Sequence, residues 1–170
     1  MNKNLKDLPL RSGVGIVLLN KENKVFVAKR IDNPKNFWQM PQGGVDEGED
    51  NLKAAFRELE EETSIKSVEL IKELDGTLTY DLPDRLLGII WKGKYKGQRQ
   101  KWFLYEFKGS EKDINIETSH PEFLDFTRVK AKFLAKDKQG QQVFLADSAF
   151  SLQMTKDKYP ALQFHATSEF

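Results

Sequence analysis

Residues 43–65 read GGVDEGEDNLKAAFRELEEETSI, a glycine turn that runs directly into a carboxylate-dense segment. Within it Leu52, Ala55, Phe56, Leu59 and Thr63 recur at i, i+3, i+4, i+7 and i+11, the period of one mostly apolar stripe on an α-helix. The spacing predicts a helix that begins near Asn51 and turns this stripe toward a core. Asp50 is the expected N-cap, because its carboxylate can accept from the orphan amides of the first turn and suits the positive end of the helix dipole. At about 100° per residue, Glu58, Glu61 and Glu62 fall in one sector beside the stripe, whereas Glu60 points elsewhere.

Three carboxylates on one edge repel one another, at roughly 0.2–0.5 kcal/mol for each i,i+3 or i,i+4 pair on an isolated helix. Arg57, four residues before Glu61, is one source of compensating charge. A hard divalent cation that takes carboxylate oxygens suits the whole set better, with Mg2+ the default ion beside phosphate. The alternative is an ordinary solvated acidic face.

The preceding loop bears on that choice. From Gly43 the chain gives glycine, five residues, Glu49, seven residues, then Arg57-Glu58-Leu59-x-Glu61-Glu62-x-Ser64-Ile65. This resembles the Nudix box and departs from it only at Ser64, where the family places a helix-ending glycine. A left-handed residue there would carry modest strain in a serine, or else the helix exits differently. The resemblance implies an α/β fold, the Nudix-type α/β/α sandwich with a mixed β-sheet. Periodicity alone supports only an α/β or α+β domain.

The 170 residues suit one domain, 1–170, with 39% hydrophobic and 31% charged residues and a net charge of +1. That balance fits a folded soluble chain and argues against a broad nucleic-acid footprint, leaving room for a local basic groove. The absence of cysteine excludes disulfides and thiolate metal sites. No apolar run suits a signal peptide or a membrane span, so the expected location is cytoplasmic, with no membrane and no partner protein inferred.

Residues 13–19 and 24–30, GVGIVLL and KVFVAKR, read as a β-hairpin across a polar turn. Arg11, Lys29 and Arg30 would place cations near one rim, with plain surface charge as the alternative. In FWQMPQGG, residues 37–44, Pro41 and the paired glycines are expected to keep the chain out of regular structure, with exposed amides suited to oxyanions. VELIKEL and TLTY are strand candidates, and DLPDRLLG is a connection interrupted by Pro83. Residues 91–103, WKGKYKGQRQKWF, mix lysine and arginine with aromatics, a composition that can track polyphosphate while rings stack bases, or can simply be a solvated loop.

RSGVGIVLLN, FWQMPQGGVDEGE, GQRQKWF and HPEF together resemble one Nudix branch, the bacterial RNA pyrophosphohydrolases and asymmetric dinucleoside tetraphosphate hydrolases. That resemblance implies roles for individual residues. Glu58 and Glu62 would be metal ligands, joined by Glu122 from HPEF and by the Gly43 carbonyl; Glu61 would be a ligand or the base; Arg57 would orient the carboxylates and pair with Glu49. Substrate contacts would come from Arg11, Arg30, Gln42, Tyr80, Arg99 and Lys101. The implied cofactor is Mg2+, with Mn2+ the substitute, and the implied substrate is a nucleotide or 5′-triphosphorylated RNA. Removal of pyrophosphate from RNA competes with asymmetric cleavage of dinucleoside tetraphosphate, and both compete with a Nudix module that binds nucleotides without cutting them. The resemblance covers residues 11–125; residues 126–170 form an atypical tail, in which residues 136–141 read as a turn between two strands and Asp147 as the cap of a short helix. His120 and His165 are too few and too far apart for a histidine metal site.

Overall fold

The computed structural model describes residues 5–32, 38–136 and 142–146. Among the described residues the elements are strands β1 (Leu10–Leu19), β2 (Lys24–Arg30), β3 (Trp38–Gln39), β4 (Gln42–Gly44), β5 (Val68–Glu73), β6 (Leu78–Asp81), β7 (Gly97–Phe107), β8 (Phe123–Lys136) and β9 (Gln142–Ala146) and one α-helix, α1 (Asn51–Thr63). The sheet order is β5-β7-β1-β2-β8-β9, with β3 on β2, β4 on β1 and β6 on β7. β1 and β7 run parallel from Leu10↔Gly97 to Leu19↔Glu106, while the other pairings are antiparallel, so the sheet is mixed.

Alternation along the central pair explains the two cores. Val14, Ile16 and Leu18 share a face with Phe103, Tyr105 and Phe107, and α1 packs there through Ala54, Ala55 and Leu59. Val17 and Leu19 share the opposite face with Trp102 and Leu104, covered by Met40 and Leu78. A period of two allows each strand to feed both faces. α1 supplies one helical layer of the expected sandwich. The helix expected after Asp147 lies outside the described residues, as do His165 and residues 137–141, although β8 and β9 pair as the two tail strands anticipated around that turn.

Three expectations need correction. The hairpin is open beyond its tip: β1 meets β2 only at Leu19↔Val25, because its sides are taken by β7 and, at Gly13–Gly15, by β4. FWQMPQGG does contain regular structure, since β3 and β4 flank Pro41, whose missing N–H falls between the two short ladders. The apolar stripe of α1 is rolled relative to the core: Ala54, Ala55, Leu59, Glu62 and Thr63 are buried, while Leu52 and Phe56 are 40% and 37% exposed. Two alanines bring the helix close to the sheet and turn Glu58 and Glu62 toward β4. Leu52 and Phe56 instead line an open groove with Val68, Leu70 and Tyr105.

Candidate active site

The helix starts and stops as its sequence requires. Asp50 accepts from the amides of Leu52 and Lys53 at 2.9 and 3.2 Å, and Ser64 ends the helix at φ 60°, its amide donating to the Glu60 carbonyl at 2.7 Å. Serine thus adopts the left-handed conformation that favours glycine. Its hydroxyl donates to the Asn115 carbonyl at 3.2 Å, which offsets part of the strain.

β4 lies between the helix and the opposite sheet face, and its two glycines look in opposite directions. A Cβ on Gly43 would collide with the Glu58 carboxylate, whereas one on Gly44 would collide with the Arg11 guanidinium. Register explains the split: Gly43 pairs with Val14 on the helix face, and Gly44 pairs with Gly13 on the other. Glycine is needed at both positions for close approach of a charged side chain to the backbone.

Arg57 gathers the outer carboxylates. Its Nε and Nη2 donate to the two oxygens of Glu49 at 2.8 Å each, Nη1 donates to Glu58 at 3.0 Å and to Glu61 at 3.1 Å, and Nη2 also donates to the Gly44 carbonyl at 2.9 Å. The bidentate pair holds the Glu49 carboxyl down to about 2 and raises the Arg57 pKa. Glu49 also accepts from the Asp46 amide at 3.0 Å. Glu60 points away, as expected, and pairs with Lys66 at 2.9 Å.

Glu62 is in the opposite condition. It is 3% exposed, one oxygen accepts from the Gln42 amide at 3.1 Å, and the other has no hydrogen-bond partner among the described residues. Burial raises its pKa well above the ordinary range, and the nearby charges of Glu122 and Glu58 push the same way. Burial likewise raises Glu58, against the pull of Arg57. Glu122 is delivered by the start of β8: its carbonyl accepts from the Ile31 amide at 2.9 Å, beside a bulge between Lys29 and Arg30. Arg30 Nη1 donates to Glu122 at 3.3 Å, while Asp32 takes Nε and Nη2 of the same guanidinium at 2.6 and 2.7 Å.

A divalent cation fits this donor set. A buried carboxylate oxygen without a partner, pressed by two further carboxylates, is stabilised by a cation that takes oxygen ligands. Among the described residues no three acidic or imidazole side chains already close around one point, and Arg30 is what holds Glu122. His120 contacts Ser119 on an exposed turn, remote in character from this carboxylate set.

The proposed substrate contacts divide between the two faces. Arg11, Gln42 and Tyr80 share the face opposite α1, with Arg11↔Gln98 and Tyr80↔Gln98 in register. Tyr80 Oη donates to Gln98 at 2.7 Å, and Gln100 Nε2 donates to Gln42 at 2.6 Å. Arg30 stands beside Glu122 on the helix face. Arg99 and Lys101 alternate with the glutamines, so they project from the other side of β7; Lys101 pairs with Glu73 at 2.8 Å, and Arg99 is exposed.

Sequence reading passed over Gln98 and Gln100, which are 4% and 1% exposed. Gln100 Oε1, Gln39 Nε2 and Trp102 Nε1 are buried without partners among the described residues. The available signal was GQRQ opposite GVG: two glutamines two apart on one strand, beside two glycines two apart on its neighbour. Such a pairing lets the Gln98 side chain and the Trp102 ring lie directly over Gly13 and Gly15 on one sheet face.

A NUDIX domain family profile matches residues 9–147. An RNA pyrophosphohydrolase of Pelagibacter ubique is 71% identical over 74% of this chain and 80% of its own length. One from Rhodospirillum rubrum is 54% identical over 68% of this chain and 70% of its own. Among solved structures, a binary complex of the C. elegans Ap4A hydrolase is similar at a TM-score of 0.53 and 25% identity, covering 70% of this chain and 79% of that one. The E. coli dihydroneopterin triphosphate pyrophosphohydrolase shares the fold at a TM-score of 0.53 and 23% identity, over 70% of this chain and 81% of its own.

Proposed function

Because the chain belongs to the Nudix family, we propose that it is a metal-dependent pyrophosphohydrolase that removes pyrophosphate from the 5′-triphosphate end of RNA, in the cytoplasm, with Mg2+ as its ion. The observation that carries the reading is the buried, half-partnered Glu62 near the charges of Glu122 and of Glu58, for whose carboxylate Gly43 leaves room. The 71% identity to an RNA pyrophosphohydrolase supports the choice of substrate.

When bound, the divalent ion neutralises charge on phosphate oxygens and lowers the pKa of the attacking water. Glu58 and Glu62 would hold it, joined by Glu122 once that carboxylate leaves Arg30, and by the Gly43 carbonyl; Mn2+ is the expected substitute. Glu61, exposed on the same helix edge and steadied by Arg57, takes the proton from water. Arg57 is a positioning residue, since four of its hydrogen bonds hold Glu49, Glu58 and Glu61 and a fifth holds the Gly44 carbonyl. Arg30 stays held by Asp32 through Nε and Nη2 and offers Nη1, vacated by Glu122, to the phosphate chain. Arg11, Tyr80 and Gln42 contact the substrate from the other side of β4, and Arg99 and Lys101 would serve the outer part of a longer substrate.

A second reading, asymmetric cleavage of dinucleoside tetraphosphate, draws on the likeness to the Ap4A hydrolase. Product analysis on triphosphorylated RNA and diadenosine tetraphosphate, each with Mg2+ or Mn2+, separates the two. Pyrophosphate released from RNA at the higher kcat/KM supports the first reading; preferred formation of ATP and AMP from the tetraphosphate replaces it with the second. A binding module without catalysis predicts losses among Glu58, Glu61 and Glu62, and all three are present.

A further inference from the structure

Between β6 and β7 the chain makes a kinked helical turn, Ile90–Gly93, in which Trp91 has φ 52°, ψ 37° and Lys92 has φ 57°, ψ 28°. Two consecutive non-glycine residues in the left-handed region are costly, and such strain persists where the surroundings demand a particular side-chain placement. Core packing is not that demand, because Trp91 and Tyr95 are absent from both hydrophobic clusters and remain partly exposed.

The strained turn brings Trp91 to Arg11. The guanidinium lies 5.4 Å from the ring centroid, and Tyr95 meets the same indole edge-on at 6.3 Å. Arg11 in turn rests on Gly44, whose carbonyl is held by Arg57 at 2.9 Å. The indole is therefore linked to the catalytic helix through one arginine and one glycine. Among the described residues Arg11 has no carboxylate partner, and neither have the exposed Lys92 and Lys94.

We propose that Trp91 is a stacking platform for the nucleobase attached to the phosphate chain, with Arg11 fixing the indole plane and facing the phosphates, and with Lys92 and Lys94 flanking the nucleic-acid backbone. The proposal rests on the nucleotide-substrate reading above and adds to it the site that receives the base. A flat aromatic with a cation on one face suits any base, since every base offers a π-surface, so the platform gives affinity with little base preference.

The test compares two ligands with the same phosphate chain, ATP and inorganic tripolyphosphate, titrated calorimetrically with Mg2+ into full-length protein carrying Glu61→Gln to stop turnover. Trp91→Ala is expected to weaken ATP by about tenfold or more, the range of one lost base–aromatic stack, and tripolyphosphate by less than about twofold. Trp91→Phe should recover most of the ATP binding. Equal losses on both ligands would mean that Trp91 only steadies Arg11, and would overturn the proposal. So would a parent protein that binds ATP no tighter than tripolyphosphate. Hydrolysis assays of the unmutated protein decide the functional reading separately: no release of product from RNA or tetraphosphate ends that reading, while the ratio between the two ligands still judges the platform.

Discussion

Glu49 and Glu62 bracket the helix in opposite electrostatic conditions. Glu49 is at the rim with Arg57 on both oxygens and a backbone amide as third donor, and its carboxyl is held down to about 2. Glu62 is buried, with one amide donor, one oxygen unpartnered and two carboxylates nearby that add to the effect of burial. The rim group is complete within the chain, and its partner sets its orientation. The buried group is incomplete, because an ionised carboxylate removed from water needs a compensating charge that none of the described residues places on its free oxygen. The contrast separates a scaffold from a site.

The contrast breaks most visibly at Glu61, which touches the Arg57 cluster yet is assigned to chemistry. Glu61→Gln should lower kcat by about 10²–10⁴-fold, the usual weight of a general base, with an unchanged circular dichroism spectrum and melting temperature. Parent-level turnover in this variant would move the base elsewhere, first to Glu122.

Glu62→Gln sharpens the contrast in thermal melts. A folded-state pKa raised above the ordinary 4.5 means that the native protein holds this proton more tightly than the unfolded chain. Metal-free stability is therefore lost as pH rises from the ordinary carboxylate range toward the raised value. The metal-free glutamine variant, which cannot ionise, should lose less stability than the parent as pH rises above the ordinary carboxylate range, and Mg2+ should raise the melting temperature of the parent but not of the variant. Equal responses to Mg2+ would remove Glu62 from the ligand set.

Glu49→Gln tests the other pole, with the opposite sign. A depressed carboxylate pKa contributes stability above its unfolded value of 4.5, and that stability is lost as pH falls toward about 2. The variant should show a shallower decline across this acid window and a reduced kcat at neutral pH, since Arg57 loses its anchor. An acid limb identical to the parent's would show that Arg57 does not need Glu49.

The smallest effect is expected at the helix end. Ser64→Gly relieves the residue at φ 60° but gives up a hydroxyl contact at 3.2 Å and gains unfolded-state freedom. Denaturant titration should find a net change of no more than about 1 kcal/mol, with turnover unaffected. A larger loss would assign the Ser64–Asn115 contact a structural weight that its geometry does not suggest.

The sequence determined what is local. Fixed offsets named the helix and its Asp50 cap, because capping and helical period act within about one or two turns; the Glu49–Arg57 pairing was implied by the family pattern, and of the two exits open at Ser64 the structure took the left-handed one. The strands of β1, β2, β5 and β6 were legible for a similar reason. What the tertiary structure decided lies across the sheet. The parallel β1–β7 register set Gln98 beside Arg11 and Tyr80, and it sent Arg99 and Lys101 to the other face. The close approach of Ala54 and Ala55 rolled Leu52 and Phe56 outward and Glu62 inward. No local rule contains these outcomes: a period-two strand presents two faces, and only its neighbours decide which of them meets the helix.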